Sequence, residues 1–80
     1  MFIVYIIHSI KLNKYYTGSS DDLDRRLKEH NRGKTAFTRR GIPWELVYQK
    51  SFLTRAEAAR FEKRIKKRGA GRFLADYNTG

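Results

Sequence analysis

The sequence predicts a small α+β domain in which helices flank an antiparallel three-stranded sheet. Three observations support this class: a continuous apolar run opens the chain, further β-favouring segments follow it, and two amphipathic segments begin at helix-capping residues. The expected order of elements is β-β-α-β-α, with a short third helix near the end. Because 80 residues leave room for only one compact core, residues 1–80 are expected to form a single domain.

The first two strands are expected to form an antiparallel hairpin. Residues 2–7 are apolar without interruption and rich in β-branched side chains, which is typical of a strand buried on both faces. Residues 9–14 are polar and predict a turn, and residues 15–18 predict a second, shorter strand. The first strand is therefore predicted to lie at the centre of the sheet.

A first helix is predicted to begin within residues 19–22, where two serines precede two aspartates. Such residues cap a helix N-terminus and place acids in its first turn. Leu23 and Leu27 form a short apolar stripe, and Gly33 is a candidate C-terminal cap. The basic segment 34–41 is then expected to be a loop with few packing partners.

The second half of the chain is expected to contribute a third strand and a longer helix. Pro43 opens the strand at residues 44–52, and Thr54 with Glu57 matches the capping-box pattern of a helix start. The apolar stripe of this helix is formed by Ala58, Phe61 and Ile65. Such a stripe predicts packing against the sheet.

Two glycines are expected to end this longer helix. It is predicted to reach about Arg68, because Gly69 and Gly71 follow and glycine commonly terminates helices. A short final helix is predicted at residues 72–76.

The charge of the chain indicates a polyanionic partner. Eighteen Lys and Arg residues against eight Asp and Glu residues give a net charge of +10. Nucleic acid is the usual partner of so basic a small domain, and an anionic membrane surface is the alternative. The basic residues are spread over three segments rather than along one amphipathic helix, which favours nucleic acid.

Several other classes lack support in the sequence. It contains no cysteine, which rules out disulfides and thiolate metal sites, and a cytoplasmic location is expected. The apolar run at residues 1–7 is too short to span a bilayer, which takes about 20 residues. Zinc-binding spacings, glycine-rich phosphate loops and nucleophile-elbow motifs do not occur.

Four residues on the hairpin and the first helix are candidates for chemistry. Tyr5 and Tyr16 lie on adjacent predicted strands, which can bring the two phenols together, although core tyrosines are common in strands. Arg26 and His30 are four residues apart and share a helix face. Arginine can grip a phosphate and histidine can move a proton near neutral pH. An exposed Arg and a packing His are the ordinary alternative.

Glu62 is a candidate metal ligand because it falls within the apolar sector of the longer helix. A carboxylate in that sector is costly to bury unless a cation meets it. The cation is either a divalent metal or Arg26, the latter forming a structural ion pair. Both possibilities stay open from the residues alone.

Five segments taken together resemble one known family. Ile-Val-Tyr at residues 3–5 and Tyr-Thr-Gly at residues 16–18 resemble the paired tripeptides that name the GIY-YIG endonuclease superfamily. Residues 22–30 look like its first-helix motif, and residues 43–48 are similar to the third strand of its small stand-alone bacterial members. Glu62 falls where the metal-binding glutamate of the family would lie.

The resemblance implies a phosphodiester hydrolase that uses one divalent metal, Mg²⁺ or Mn²⁺, in a family that includes homing, restriction and excision-repair nucleases. On that pattern Tyr16 activates or orients the attacking water, with Tyr5 assisting. Arg26 stabilises charge on the phosphate, His30 relays a proton and Glu62 holds the metal. Charge stabilisation and positioning are what phosphoryl transfer needs most.

The chain departs from the family pattern at three places. Ile3 stands where the first tripeptide has glycine, and Thr17 replaces the isoleucine of the second. Some members carry a further asparagine after the metal glutamate, and Asn78 is the one residue that offers itself here. Because Asn78 is so near the end of the sequence, no role is assigned to it.

The sequence therefore predicts a metal-dependent endonuclease that acts on nucleic acid, with DNA favoured. A non-catalytic nucleic-acid-binding module on the same scaffold is the alternative function. The residues expected to contact nucleic acid are Arg25, Lys34, Arg39 and Arg40. No membrane partner is expected.

Overall fold

The computed structural model describes residues 1–79, with side chains described through residue 77, and confirms the α+β class. Three strands form one antiparallel sheet with the order β2-β1-β3. The elements are β1 Phe2–Ser9, β2 Lys14–Ser20, α1 Leu23–Asn31, α2 Ala36–Arg39, β3 Trp44–Phe52, α3 Arg55–Arg68 and α4 Ala70–Thr79. Within residues 1–79, no helix combines the length and apolarity that crossing a membrane would require.

Strand β1 is the central strand, as its unbroken apolar sequence predicts. Successive side chains of a strand point to opposite faces of a sheet. Val4 and Ile6 accordingly pack with α3, while Tyr5 and Ile7 pack with Leu23 of α1. Both strands of the hairpin are longer than the sequence predicts, since β1 continues to residue 9 and β2 occupies residues 14–20.

The predicted helix starts are confirmed by their caps. The Asp22 side chain accepts a hydrogen bond from the backbone N–H of Arg25 at 3.1 Å and so begins α1. Thr54 accepts one from the backbone N–H of Glu57 at 3.2 Å, and its hydroxyl meets the Glu57 carboxylate at 3.0 Å. Gly33 follows the end of α1 with a φ of +78°, a backbone conformation that suits glycine.

The prediction of a loop with few packing partners at residues 34–41 is wrong. This segment contains the one-turn helix α2, in which the backbone N–H of Arg39 donates to Thr35 O at 3.0 Å. Thr38 is fully buried, and the Trp44 indole N–H donates to its carbonyl at 2.6 Å. A turn this short has little intrinsic stability. Tertiary contacts therefore hold it, and local composition does not reveal them.

The end of the chain also differs from its prediction. Gly69 ends α3 with a φ of +94°, as predicted, but Gly71 does not break a helix and lies inside α4. The final helix is longer than residues 72–76: Ala70 packs against the apolar core at its start, and the ring of Tyr77 contacts that of Tyr48 near its end. The side chain of Asn78, which has no assigned role, lies outside the described residues.

Candidate active site

Tyr5 lies at the centre of a buried cluster on the α1 face of the sheet. Its side chain is buried in the middle of β1, and its hydroxyl lies 2.9 Å from Nε2 of His30. Gly18 is its cross-strand partner on β2. A Cβ atom at Gly18 would lie 2.7 Å from the Tyr5 hydroxyl, which is closer than such atoms approach. The glycine of the second tripeptide therefore makes room for the Tyr5 phenol.

The hydrogen bonds of His30 define which of its nitrogens carries the proton. Nδ1 of His30 lies 3.1 Å from Oγ1 of Thr38, and the Thr38 hydroxyl donates to the Thr35 carbonyl at 3.4 Å. Because the Thr38 proton is used there, Thr38 accepts from His30 Nδ1–H. Nε2 is then the acceptor, and the Tyr5 O–H donates to it.

Burial keeps the Tyr5–His30 pair neutral. Burial raises the pKa of Tyr5 to about 12, and the neighbouring Tyr16 adds to the rise while Arg26 opposes it. Burial also lowers the pKa of His30, because the charged imidazolium would lose its hydration and would sit near the Arg26 guanidinium. At neutral pH the pair is therefore a phenol donating to an uncharged imidazole.

Tyr16 lies beside this pair but remains accessible. It is half-buried, and its ring makes an edge contact with the His30 ring at a centroid distance of 5.0 Å. On its other side the exposed ring of Phe37 lies 5.7 Å away. Among the side chains described, those of residues 1–77, the Tyr16 hydroxyl has no hydrogen-bond partner. It is thus the phenol of the two that is free to contact a water molecule.

Arg26 lines the same cluster from α1. Its guanidinium donates to the Glu29 carboxylate at 3.1 Å, and the Arg26 side chain is 35 % exposed. It is also near enough to Tyr5 to oppose the rise in that residue's pKa. A guanidinium has five N–H donors, so one bond to Glu29 leaves several for a phosphate. Tyr5, Tyr16, Arg26 and His30 therefore occupy one site, as the sequence predicts.

Glu62 makes a different ion pair from the one considered in the sequence. Its carboxylate meets Nζ of Lys66, one turn along α3, at 2.6 Å, whereas Arg26 pairs with Glu29. The side chain of Glu62 is 20 % exposed. Its negative charge contributes to the raised pKa of Tyr5, which places the carboxylate within electrostatic reach of the tyrosine cluster.

The chemistry of the donor set around Glu62 fits a loosely held hard cation. Among residues 1–77 no group of three or more His, Cys, Asp or Glu side chains is close enough to enclose a metal. Mg²⁺ usually keeps several waters and binds through one or two carboxylates plus substrate phosphates. A single carboxylate suits that mode, because it leaves the other coordination positions to water and phosphate, and Lys66 competes with the cation for it.

The four residues predicted to contact nucleic acid have different environments. Lys34 and Arg40 are exposed. Arg25 is exposed and lies 3.6 Å from Asp21 in a surface ion pair. Nε of Arg39 donates to the Gly33 carbonyl at 3.0 Å, so this side chain also holds the turn after α1. All four cations lie on α1 or between α1 and β3.

Sequence reasoning missed two residues of the site, Thr38 and Gly18. Thr38 was not selected because a threonine in a basic segment resembles an ordinary loop residue. Gly18 was considered only as part of a tripeptide, although the register of the hairpin pairs it with Tyr5, whose hydroxyl leaves no space for a side chain there. A cross-strand alignment of the two predicted strands could have revealed that need.

An antiparallel three-stranded sheet that presents two tyrosines, an arginine and a histidine in one cluster defines a particular class of domain. The model of the GIY-YIG catalytic domain matches residues 1–73. The chain belongs to the GIY-YIG family. This family is part of a superfamily of nucleases, whose substrate is nucleic acid. The resemblance seen in the sequence is thereby confirmed.

Individual relatives and a solved structure agree with this membership. The chain is 39 % identical to the UPF0213 protein YazA of Bacillus subtilis over 64 residues, 79 % of this chain and 65 % of that protein. It is 43 % identical to the UPF0213 protein VNG_2274C of Halobacterium salinarum over 67 residues, 82 % of this chain and 86 % of that protein.

The solution NMR structure of the UPF0213 protein BH0048 from Bacillus halodurans has a similar fold. It aligns with a TM-score of 0.59 and 33 % identity, over 99 % of this chain and 85 % of that chain. The names of these three relatives state no specific activity.

Proposed function

We propose that this chain is a metal-dependent endonuclease that hydrolyses phosphodiester bonds in nucleic acid, with DNA as its substrate. The observation that carries the proposal is the meeting of Tyr5, Tyr16, Arg26 and His30 in one cluster that the charge of Glu62 also reaches. The net charge of +10 supports a polyanionic substrate. A cytoplasmic location stays a prediction.

Arg26 binds the scissile phosphate in this proposal. Its side chain is partly exposed and keeps free donors beyond its bond to Glu29. Guanidinium donors near a phosphate stabilise the charge that develops in the transition state, and they do so more strongly where water is partly excluded. Its location beside both tyrosines puts that phosphate next to the proposed water-binding group.

Tyr16 orients the attacking water, because its hydroxyl is accessible and has no partner within the described part of the chain. Tyr5 and His30 have a supporting role. Since both ring nitrogens of His30 are engaged, any proton that His30 relays passes through the Tyr5 hydroxyl. Thr38 is a positioning residue that fixes the tautomer of His30.

Glu62 is the residue that would hold the divalent cation, Mg²⁺ or Mn²⁺. When bound, such a cation supplies Lewis-acid stabilisation to the phosphate and the leaving oxygen. The competing function is a non-catalytic nucleic-acid-binding module. One observation favours it: Lys66 already neutralises the Glu62 carboxylate at 2.6 Å.

Glu62→Gln tests the proposal, because it removes the negative charge and nearly preserves the shape. Cleavage of an oligonucleotide in Mg²⁺ is expected to fall by orders of magnitude, while binding and melting temperature stay close to those of the wild type. Loss of the several kcal/mol that a metal contributes to transition-state stabilisation explains the size of the effect. Glu57→Gln is the matched control on the same helix, and it is expected to cut normally.

Two results would contradict the proposal. Cleavage by Glu62→Gln at the wild-type rate would remove Glu62 from the metal site. Wild-type protein that binds oligonucleotides but does not cut DNA or RNA in either Mg²⁺ or Mn²⁺ would establish the binding module instead.

A further inference from the structure

A cleft of about 400 Å³ opens beside the tyrosine cluster, and none of the roles above uses it. It lies between the hairpin turn, α2 and the start of β3. Its walls are formed by Leu12, Lys14, Ala36, Phe37, Arg40 and Trp44. The volume is in the range of small-molecule sites, which span about 300–1,000 Å³. It is suited to a flat group of a few rings rather than to a helix or a folded partner.

Two aromatic side chains line this cleft. Trp44 is almost fully buried and is held by the hydrogen bond of its indole N–H to Thr38 O. The ring of Phe37 is 66 % exposed and stands at the wall. An exposed phenylalanine gains little stability for the fold, so its surface is available to stack on a planar ligand.

The rim of the cleft is cationic. Lys14 and Arg40 line it, and neither has an acidic partner among residues 1–77. Unpaired cations at the edge of an aromatic slot match a ligand that has a planar ring and a nearby negative charge. A nucleotide has this combination, because its base is a flat π-system attached to a phosphodiester.

The cleft is joined to the site through Phe37. Its ring lies 5.7 Å from that of Tyr16, which in turn contacts His30 at 5.0 Å. A strand whose phosphate lies at Tyr16 and Arg26 would therefore bring an adjacent base to Phe37. We propose that this cleft receives an unstacked nucleobase from the nucleotide next to the bound phosphate, an assignment that rests on the proposed function.

The test is oligonucleotide binding without divalent metal, so that cleavage is not needed for a result. A fluorescent adenine analogue is placed at successive positions of a single strand and of the matching duplex. Phe37→Ala is expected to weaken binding about five- to 100-fold and to abolish the fluorescence change at one position, as base–aromatic stacking predicts. Phe37→Trp is expected to retain both, and Leu53→Ala, a control at another exposed apolar side chain, is expected to change neither.

An abasic nucleotide supplies the second arm. Placed at the responsive position, it is expected to weaken wild-type binding as much as Phe37→Ala does, with no further loss when the two changes are combined. A response on the single strand alone identifies a base that is already unpaired, and a response on both substrates identifies one extruded from the duplex.

Two outcomes would overturn the nucleobase assignment. Unchanged binding of Phe37→Ala on both substrates is one, and additive losses from Phe37→Ala and the abasic nucleotide are the other. Failure of the proposed function is distinguishable, because a protein that never cuts would still show the stacking response.

Discussion

The two faces of the sheet use the same central strand for different purposes. On the α3 and α4 face, Val4 and Ile6 pack into a wholly apolar cluster in which the rings of Tyr48, Phe61 and Phe73 meet edge to face or tilted. On the α1 and α2 face, the intervening residue Tyr5 begins a chain of buried polar contacts. Strand alternation thus separates most of the apolar core of this 80-residue chain from its tyrosine cluster, and Glu62 is the one proposed site residue that α3 contributes.

The difference has an energetic basis. Apolar burial stabilises a fold by about 25 cal/mol per Å², with no requirement for exact partners. A buried polar group instead costs free energy unless it is hydrogen-bonded. Among the described residues no buried side-chain nitrogen or oxygen lacks a partner. The buried polar groups on the α1 and α2 face therefore all have hydrogen-bond partners. This face tolerates substitution less well than the apolar face, because removing one polar side chain leaves its partner unpaired.

Arg26→Ala is expected to separate activity from stability more clearly than any other variant considered. The Arg26–Glu29 pair is partly exposed, and such pairs contribute about 0–1 kcal/mol to stability. Melting temperature is therefore expected to change little, whereas cleavage per folded molecule falls about 100- to 1,000-fold, as for loss of a transition-state donor. Arg60→Ala, at an exposed arginine of α3, is the control. A large drop in melting temperature with unchanged cleavage would make Arg26 structural.

Phe73→Ala is the corresponding variant on the apolar face, where stability rather than cleavage is expected to fall. Phe73 packs against Tyr48 and Phe61, and truncation of a packed phenylalanine costs about 3 kcal/mol or more. Urea unfolding is expected to show this loss, while cleavage per folded molecule stays near that of the wild type. Phe37→Ala is the matched control for stability, because that ring is exposed. Equal destabilisation by both variants would contradict the division between the faces.

Thr38→Val tests the hydrogen bond between Thr38 and His30 on the polar face. The change removes the acceptor of His30 Nδ1–H, and an unsatisfied buried donor costs about 1–3 kcal/mol. The proton on the imidazole is expected to move to Nε2, which reverses its hydrogen bond with Tyr5. Nitrogen chemical shifts of His30 would detect this tautomer directly, independently of cleavage. Thr38→Ser is expected to restore the wild-type tautomer, and an unchanged spectrum in Thr38→Val would exclude the positioning role.

The sequence predicted those parts of the molecule that depend on local chemistry. Helix starts at Asp22 and Thr54 were predictable, because capping is a contact between residues close in the chain. The residues Tyr5, Tyr16, Arg26 and His30 were selected from position and family likeness, and the structure brings them together.

The sequence did not predict parts that depend on distant partners. The turn of α2 relies on Trp44, six residues beyond Thr38, and on the arginine that reaches back to Gly33. The pairing of Glu62 with Lys66 is different, because the two residues are four apart on one helix. This local contact could have been predicted from the spacing of the two residues.

The acid stability of the protein is the smallest expected effect, and it follows from His30. Burial lowers the pKa of His30 below its ordinary value of 6.5, so the folded protein holds a neutral imidazole where the unfolded chain takes up a proton. The contribution of His30 to stability is therefore fully present above pH 6.5 and is lost as pH falls through the folded-state pKa. Melting temperature is expected to decline between about pH 7 and about pH 5 more steeply in the wild type than in His30→Gln. Tyr5 affects stability at alkaline pH instead. Because burial raises the pKa of Tyr5 to about 12, its contribution to stability is present below pH 10 and is lost as pH rises towards 12. Parallel acid profiles for the wild type and His30→Gln would show that folding does not lower the pKa of His30, and the neutral Tyr5–His30 pair would then lose its support.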